Sequence, residues 1–365
     1  MNRPDPPRLL LLGMYPLDRG RWGATTRIAE MRDALSNLAQ LDVISGTRGD
    51  RARALLGYLR AGRLGGLRGI YVENATTLPG PVDLAFLALA RRRGIAVATY
   101  VRDAQQLFPE YFHADTPKRR ASRALFLPAT RALMRCSSVV AFPSRGLAAA
   151  VLGSDAAAAS AVLLPPGSRP RDVPALDPAA RTILFVGGMK VPAHGGDILL
   201  GGVELARSRG HDVELVCVSR PGEELAGPTP DWYRLERGEG DTIEALLPGV
   251  LATITPRRRT PYNDLAVPIK VMEYLGYARP MIVTDATEQA AIVREAGSGV
   301  VVPDTAEGIA HGIAAVRSAA PGQLRTWAAA ALAASVANSW AVRAARVLEL
   351  LGIEPTAGSS EAAPA

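Results

Sequence analysis

Short, nearly unbroken apolar runs alternate along this chain with longer stretches whose apolar residues recur every three or four positions. The first run, Arg8-Leu9-Leu10-Leu11-Leu12-Gly13, predicts a strand covered on both faces. Thr25 or Thr26 then caps a predicted helix reaching about Leu38, with Ile28, Met31 and Leu35 on one side. Further strands are predicted over residues 41–45, 69–72, 95–101, 137–144 and 162–164, with helices over 82–90 and 146–152. Residues 169–180, rich in proline and charge, read as a linker. A second series follows: strands over 182–186, 213–218, 249–255, 281–283 and 299–302, and helices over 198–207, 241–247, 267–276, 288–296 and 306–316. Apolar runs without alternation are the mark of parallel strands buried on both sides. The repeated strand–helix order therefore predicts two doubly wound α/β domains facing a cleft.

Composition fits that picture. The 365 residues suffice for two ordinary domains. Cys136 and Cys217 lie far apart and give neither a disulfide framework nor a metal site, as expected in a reducing cytoplasm. No secretory signal is visible, and no run reaches the length of a membrane helix. The uncharged, alanine-rich stretch 327–342 reads as a buried helix. Charge is uneven: residues 1–171 hold 25 Lys and Arg against 12 Asp and Glu, whereas the remainder holds 17 against 23. The first half is thus expected to meet something anionic. Two basic stretches, Arg51 to Arg68 and Lys118 to Arg135, read either as solvated faces packed by their leucines or as amphipathic helices on an anionic membrane surface. Aromatic residues are sparse in the second stretch, which argues against nucleic acid.

The chain is organised around Val267-Pro268-Ile269-Lys270-Val271-Met272-Glu273-Tyr274-Leu275-Gly276 and the strand Met281-Ile282-Val283 that follows. Pro268 suits a first helical position, and Lys270 and Glu273, three apart, share one helical face. Taken alone, that pair is an ordinary solvated Lys/Glu pair. The whole run, Pro-x-Lys-x-x-Glu-Tyr-x-x-x-x-Arg-Pro, resembles the donor-site helix of retaining glycosyltransferases of the GT-B fold, especially glycosyltransferase family 4.

The resemblance implies that Glu273 holds the ribose diol of a nucleotide sugar, since a carboxylate accepts from two vicinal hydroxyls. It also implies a diphosphate site in the segment Gly187-Gly188-Met189-Lys190-Val191-Pro192-Ala193-His194. The family places an arginine where this chain has Gly188 and a lysine near His194. Lys190, His194 and the loop's backbone N–H groups are the expected partial substitutes, with Lys270 and with Arg257, Arg258 and Arg259 past a strand end. The family's first glutamate falls on Leu265, so Asn263 or Asp264 is expected to take part of its role, and Ala266 and Val267 to offer backbone N–H groups. In the first half, the loop bearing Gly20 and Gly23 is expected beside the donor or acceptor. Arg102 replaces a histidine of the family's polar pair, and Asp103 is expected to orient the acceptor hydroxyl; these two are the expected catalytic residues. The Ser339-Trp340 helix resembles the family's final helix, which crosses back to the first domain.

The expected organisation is an acceptor domain over 1–170, a nucleotide-sugar domain over 171–335, a returning helix over 336–353 and a disordered tail over 354–365. The expected activity moves a sugar from a UDP- or GDP-linked donor to a hydroxyl of a lipid-linked or saccharide acceptor, in cell-envelope polysaccharide or glycoconjugate synthesis. Configuration would be retained, and no metal or other cofactor would be needed. The enzyme would be cytoplasmic, on the inner face of the plasma membrane or free. The alternatives are a nucleotide-sugar epimerase of the same fold and a non-catalytic nucleotide-sugar-binding partner protein.

Overall fold

The structure is a computed structural model that describes residues 6–17, 24–74, 77–223 and 229–354. The chain begins with β1 (Arg8–Gly13), α1 (Ala24–Ser36), β2 (Gln40–Ser45), α2 (Arg48–Arg60), β3 (Gly69–Asn74), α3 (Pro81–Arg92) and β4 (Ala96–Val101). It continues through α4 (Pro117–Arg135), β5 (Val139–Phe142), α5 (Arg145–Leu152), α6 (Asp155–Ala159) and β6 (Val162–Leu163). A second series comprises β7 (Thr182–Val186), α7 (Gly196–Ser208), β8 (Glu214–Val218), β9 (Tyr233–Glu236), α8 (Asp241–Leu246) and β10 (Val250–Thr255). After it come α9 (Ile269–Leu275), β11 (Met281–Thr284), α10 (Thr287–Ala296), β12 (Gly299–Val302), α11 (Ala306–Arg317), α12 (Pro321–Ala337) and α13 (Trp340–Leu350). Two compact units result: residues up to Pro166 together with those from Trp340 onward, and residues Gly167–Ser339.

Each unit is built on a six-stranded sheet, ordered β2-β1-β3-β4-β5-β6 in the first and β12-β11-β10-β7-β8-β9 in the second. All pairings are parallel; Leu11, for example, stands opposite Val43 on one side and Tyr71 on the other. Successive side chains of a strand point to opposite faces, so the four leucines of β1 serve two cores. Leu9 and Leu11 pack with Ile28, Met31 and Leu35 of α1 and with Trp340, Ala344, Val347 and Leu348 of α13. Leu10 and Leu12 pack on the other face with Leu55 and Tyr58 of α2 and Phe86, Leu87 and Ala90 of α3. In the second unit Ile183 and Phe185 face α7 and α11, while Leu184 faces α9 and α12.

Several elements differ from the sequence expectations. The alanine-rich stretch is two helices, α12 and α13, separated at Asn338 and Ser339 and assigned to different units. Only one face of α12 is buried, through Leu324, Ala328, Ala331 and Ser335. The edge strand β9 has no apolar run to announce it, and the short α6 is one aspartate and four alanines, too short for a helical period to show. Pro268 is the residue before α9 rather than its first. The expected linker packs on the second unit: the Pro174 carbonyl accepts from Arg279, and Ala180 is part of that unit's core. The arginines of the first basic stretch are largely taken up by carboxylates. Arg51 is buried against Asp83 at 2.6 Å, Arg53 pairs with Asp50, and Arg63 pairs with Asp42.

Candidate functional site

The second sheet reverses direction between β7 and β10. From β7 the chain proceeds outward through β8 and β9, and from β10 through β11 and β12 on the other side. Such a switch point opens a crevice beyond the carboxyl ends of the two strands. At the end of β7 the backbone turns through Gly187, whose φ is +146°. A β-carbon there would lie 1.9 Å from Lys270 Nζ, so only glycine leaves room for that ammonium. Lys270 reaches the spot from the first turn of α9, with its Nζ 5.1 Å from the centre of the Phe185 ring. The helix is pinned from both sides. The Val186 amide donates to Tyr274 Oη at 2.7 Å, and Ser168 Oγ donates to the Met272 carbonyl at 2.5 Å.

The loops after β7 and β10 interlock. A β-carbon on Gly195 would meet the Pro256 carbonyl, and one on Gly196 would meet that of Met189. Asn263, almost wholly buried, donates through Nδ2 to the carbonyls of Ala193 at 3.1 Å and Arg258 at 2.6 Å. Its Oδ1 accepts from Arg257 Nη2. Asn263 thus brackets both loops and aims Arg257. His194 Nδ1 lies 3.2 Å from the Gly188 carbonyl, which fixes the proton on Nδ1 in the neutral ring.

Positive charge gathers here, with Glu273 and Glu223 near but no carboxylate in ion-pair contact with it among the described residues. Neither Lys270 nor Arg257 has an ion-pair partner among the described residues. Arg257 Nε is buried and has no acceptor. Burial first, and the Arg257 guanidinium second, push the Lys270 ammonium down to about 8, against a weaker upward pull from Glu273. Burial, with Lys270 and Arg257, pushes His194 down to about 4, so this ring is neutral at pH 7 and contributes a hydrogen-bonding edge rather than charge. A partly enclosed, uncompensated cation pair is a place for an anion.

The remaining site candidates divide. Glu273 is half-buried on the Lys270 side of α9. Gly188 is buried, and a β-carbon on it would meet Glu223 Oε2 at 2.7 Å. Lys190 is exposed and donates to the Gly222 carbonyl at 3.0 Å. Arg258 is paired with Asp197, and Arg259 with Asp264 at 3.0 Å. Asp264 also accepts from the Thr287 amide, tying the loop to α10. The Ala266 amide donates to the Tyr262 carbonyl; Val267 follows it, half-buried, just before Pro268. Of the arginine triplet, therefore, Arg257 alone faces Lys270 without a carboxylate partner among the described residues. Arg102 and Asp103 belong to the first unit, just past β4. Asp103 is buried, accepts from the Ala104 amide at 2.8 Å and stands 3.6 Å from Arg102 Nη2. Gly20 and Gly23 lie outside the described residues. Among the described residues no group of three or more His, Cys, Asp or Glu is placed to hold a metal ion.

The first unit's own switch point, between β1 and β3, is filled differently. Arg27 of α1 and Glu73 at the end of β3 are both fully buried, with Nε 3.1 Å from Oε1. Tyr71 Oη donates to the same carboxylate at 2.5 Å, and Tyr100 lies under the guanidinium at 3.6 Å. Nothing in the sequence marked this cluster, because its members come from three separate elements, α1, β3 and β4.

Residues 180–318 match the family model described as Glycosyl transferases group 1. No curated protein sequence matches the chain. Solved structures with similar folds include sucrose-phosphate synthase from Thermosynechococcus elongatus, at 12% identity and a TM-score of 0.65, covering 94% of this chain and 98% of that one. The HepE protein of Anabaena, solved with UDP and glucose, matches at 15% identity and a TM-score of 0.62, covering 94% and 99%. A UDP-forming trehalose-phosphate synthase from Burkholderia xenovorans matches at 12% identity and 0.58, covering 94% and 100%. The second unit carries the sequence signature of the group 1 glycosyl transferases, and the chain as a whole has the two-domain α/β architecture of the GT-B glycosyltransferases.

Proposed function

We propose that this protein transfers a glycosyl unit from a nucleotide-activated sugar to a hydroxyl of a lipid-linked or saccharide acceptor, with retention and without a metal. The observation that carries the reading is the pair Lys270 and Arg257, held without a carboxylate partner among the described residues at the switch point of the second sheet. When a glycosidic bond to a nucleoside diphosphate breaks, negative charge grows on the departing phosphate. Fixed cations and N–H donors at that place stabilise the transition state more than the ground state. Lys270 and Arg257 supply the charge, His194 and the loop amides supply hydrogen bonds, and Glu273 takes the ribose diol. Asp103 with Arg102 is the acceptor-side pair of this reading. UDP is bound in the HepE structure, which makes it the first nucleotide to try.

Titration calorimetry with a panel of nucleoside diphosphates tests the donor site. Glu273→Ala is expected to weaken binding on the order of tenfold or more, the scale of lost charged hydrogen bonds. Unchanged affinity removes the assignment. Release of nucleoside diphosphate only when cell lipid or oligosaccharide is added marks transfer. Conversion of the donor sugar without acceptor marks an epimerase, and binding without turnover marks a non-catalytic partner.

A further inference from the structure

The second basic stretch is not absorbed by the donor site, and it differs from the first. It forms α4, 19 residues with Lys118, Arg119, Arg120, Arg123, Arg131 and Arg135 and no carboxylate. Phe126, Thr130 and Leu133 are its buried side chains, and they lie on one face of the helix. Pro117, Ala121, Ala124 and Pro128 follow one another at spacings of four and three, which lines them up along the opposite, exposed face. Leu125 stands beside this stripe, 55% exposed. Arg119 pairs with Asp115 at 3.4 Å. Lys118, Arg120, Arg123, Arg131 and Arg135 are all exposed, and none has an ion-pair partner among the described residues. In α2, by contrast, Arg51 and Arg53 are held by carboxylates of this same chain.

We infer that α4 docks the first unit on an anionic lipid bilayer, lying flat at the headgroup level. The small apolar stripe and Leu125 meet the acyl boundary, and the flanking cations meet lipid phosphates. Charge complementarity decides the partner. A helix with six cations and no carboxylate answers the anionic leaflet, while an exposed leucine gains from lipid and nothing from a phosphate backbone. Nucleic acid is less favoured, since the one aromatic side chain of α4, Phe126, is buried and offers no stacking surface. The helix spans about 28 Å at 1.5 Å per residue, long enough to engage several headgroups at once.

The test is co-sedimentation of the full chain with vesicles of phosphatidylcholine alone and of phosphatidylcholine with phosphatidylglycerol. No sugar nucleotide or acceptor is present, so the outcome is independent of the donor-site reading. Binding is expected to the anionic vesicles only and to fall with salt. The triple variant Arg120→Gln, Arg123→Gln, Arg131→Gln is expected to bind on the order of a hundredfold more weakly, at roughly tenfold or less per charge. Leu125→Ser is expected to show a smaller loss that salt does not alter. All four positions are exposed, so unchanged thermal unfolding verifies that the variants are folded. Equal binding to both vesicle types, or equal binding of the triple variant, overturns the assignment. So does a triple variant that loses retention on single-stranded RNA while keeping its vesicle binding.

Discussion

The Lys270 ammonium occupies the space that a side chain on Gly187 would take, 1.9 Å from where its β-carbon would sit. The glycine therefore serves the lysine twice. It leaves the ammonium room, and its φ of +146° turns the chain away from the end of β7.

Gly187→Ala is accordingly expected to displace Lys270 and strain the backbone. Nucleoside diphosphate affinity, measured calorimetrically, should fall on the order of tenfold or more, and the melting temperature should drop. Gly188→Ala is the control. The nearest atom it would meet is Glu223 Oε2, the far end of a flexible side chain, so affinity and stability should change little. Similar losses in both variants would count against a special role for Gly187.

Lys270 titrates at about 8 in the folded protein, because burial and Arg257 disfavour its charge. An anion binds the protonated form. Donor affinity should therefore weaken as pH rises through about 8, with proton uptake on binding near that pH. In the ligand-free protein the sign is opposite. Between about 8 and the ordinary lysine value of 10.5 the unfolded chain holds a proton that the folded chain has lost, so this group's contribution to stability rises with pH. Lys270→Arg keeps the charge and should abolish the inflection in affinity. Calorimetry in buffers of different ionisation heat reads both effects.

Arg279, one residue before Pro280, is buried and has no carboxylate partner among the described residues. Its guanidinium donates instead to the carbonyls of Val250, Tyr277, Ala278, Pro174 and Leu247, at 2.7 to 3.3 Å. A lysine cannot reproduce that planar fork. Arg279→Lys is expected to cost about 3 kcal/mol in urea unfolding, the scale of buried carbonyls left without donors. A cost below about 1 kcal/mol would show that water replaces the fork.

Among the described residues Glu73 is the carboxylate paired with Arg27 at the first switch point. Glu73→Gln leaves a fully buried guanidinium without a counter-charge and is expected to destabilise by about 3–5 kcal/mol. Removing both charges, as in Arg27→Met with Glu73→Leu, should recover most of that loss. Urea unfolding of the single and double variants measures the difference.

The strands covered on both faces were legible because such strands need apolar residues at every position. The Lys270–Glu273 pair was legible because residues three apart share a helical face. Arg257, Arg258 and Arg259 looked equivalent in the sequence and are not. Successive residues past a strand end point in different directions, and the partners that claim two of them, Asp197 and Asp264, are chosen by tertiary packing. Arg51 looked like surface for the same reason, since Asp83 reaches it from 32 positions away. The break between α12 and α13 was hidden by alanine, which carries little contrast between inside and outside. His194 could be located from sequence but not its charge, which burial removes.

The first unit is discontinuous: α13, which covers Leu9 and Leu11, is synthesised only after the whole of Gly167–Ser339. A nascent chain that has reached Ser339 already contains every strand of the second sheet, yet one flank of the first has only α1 to cover its leucines. The inserted unit is thus free to fold first on the ribosome, while the enclosing one waits for its closing helix. A chain stopped before Trp340 would keep a sound second unit attached to a sticky, unfinished first one.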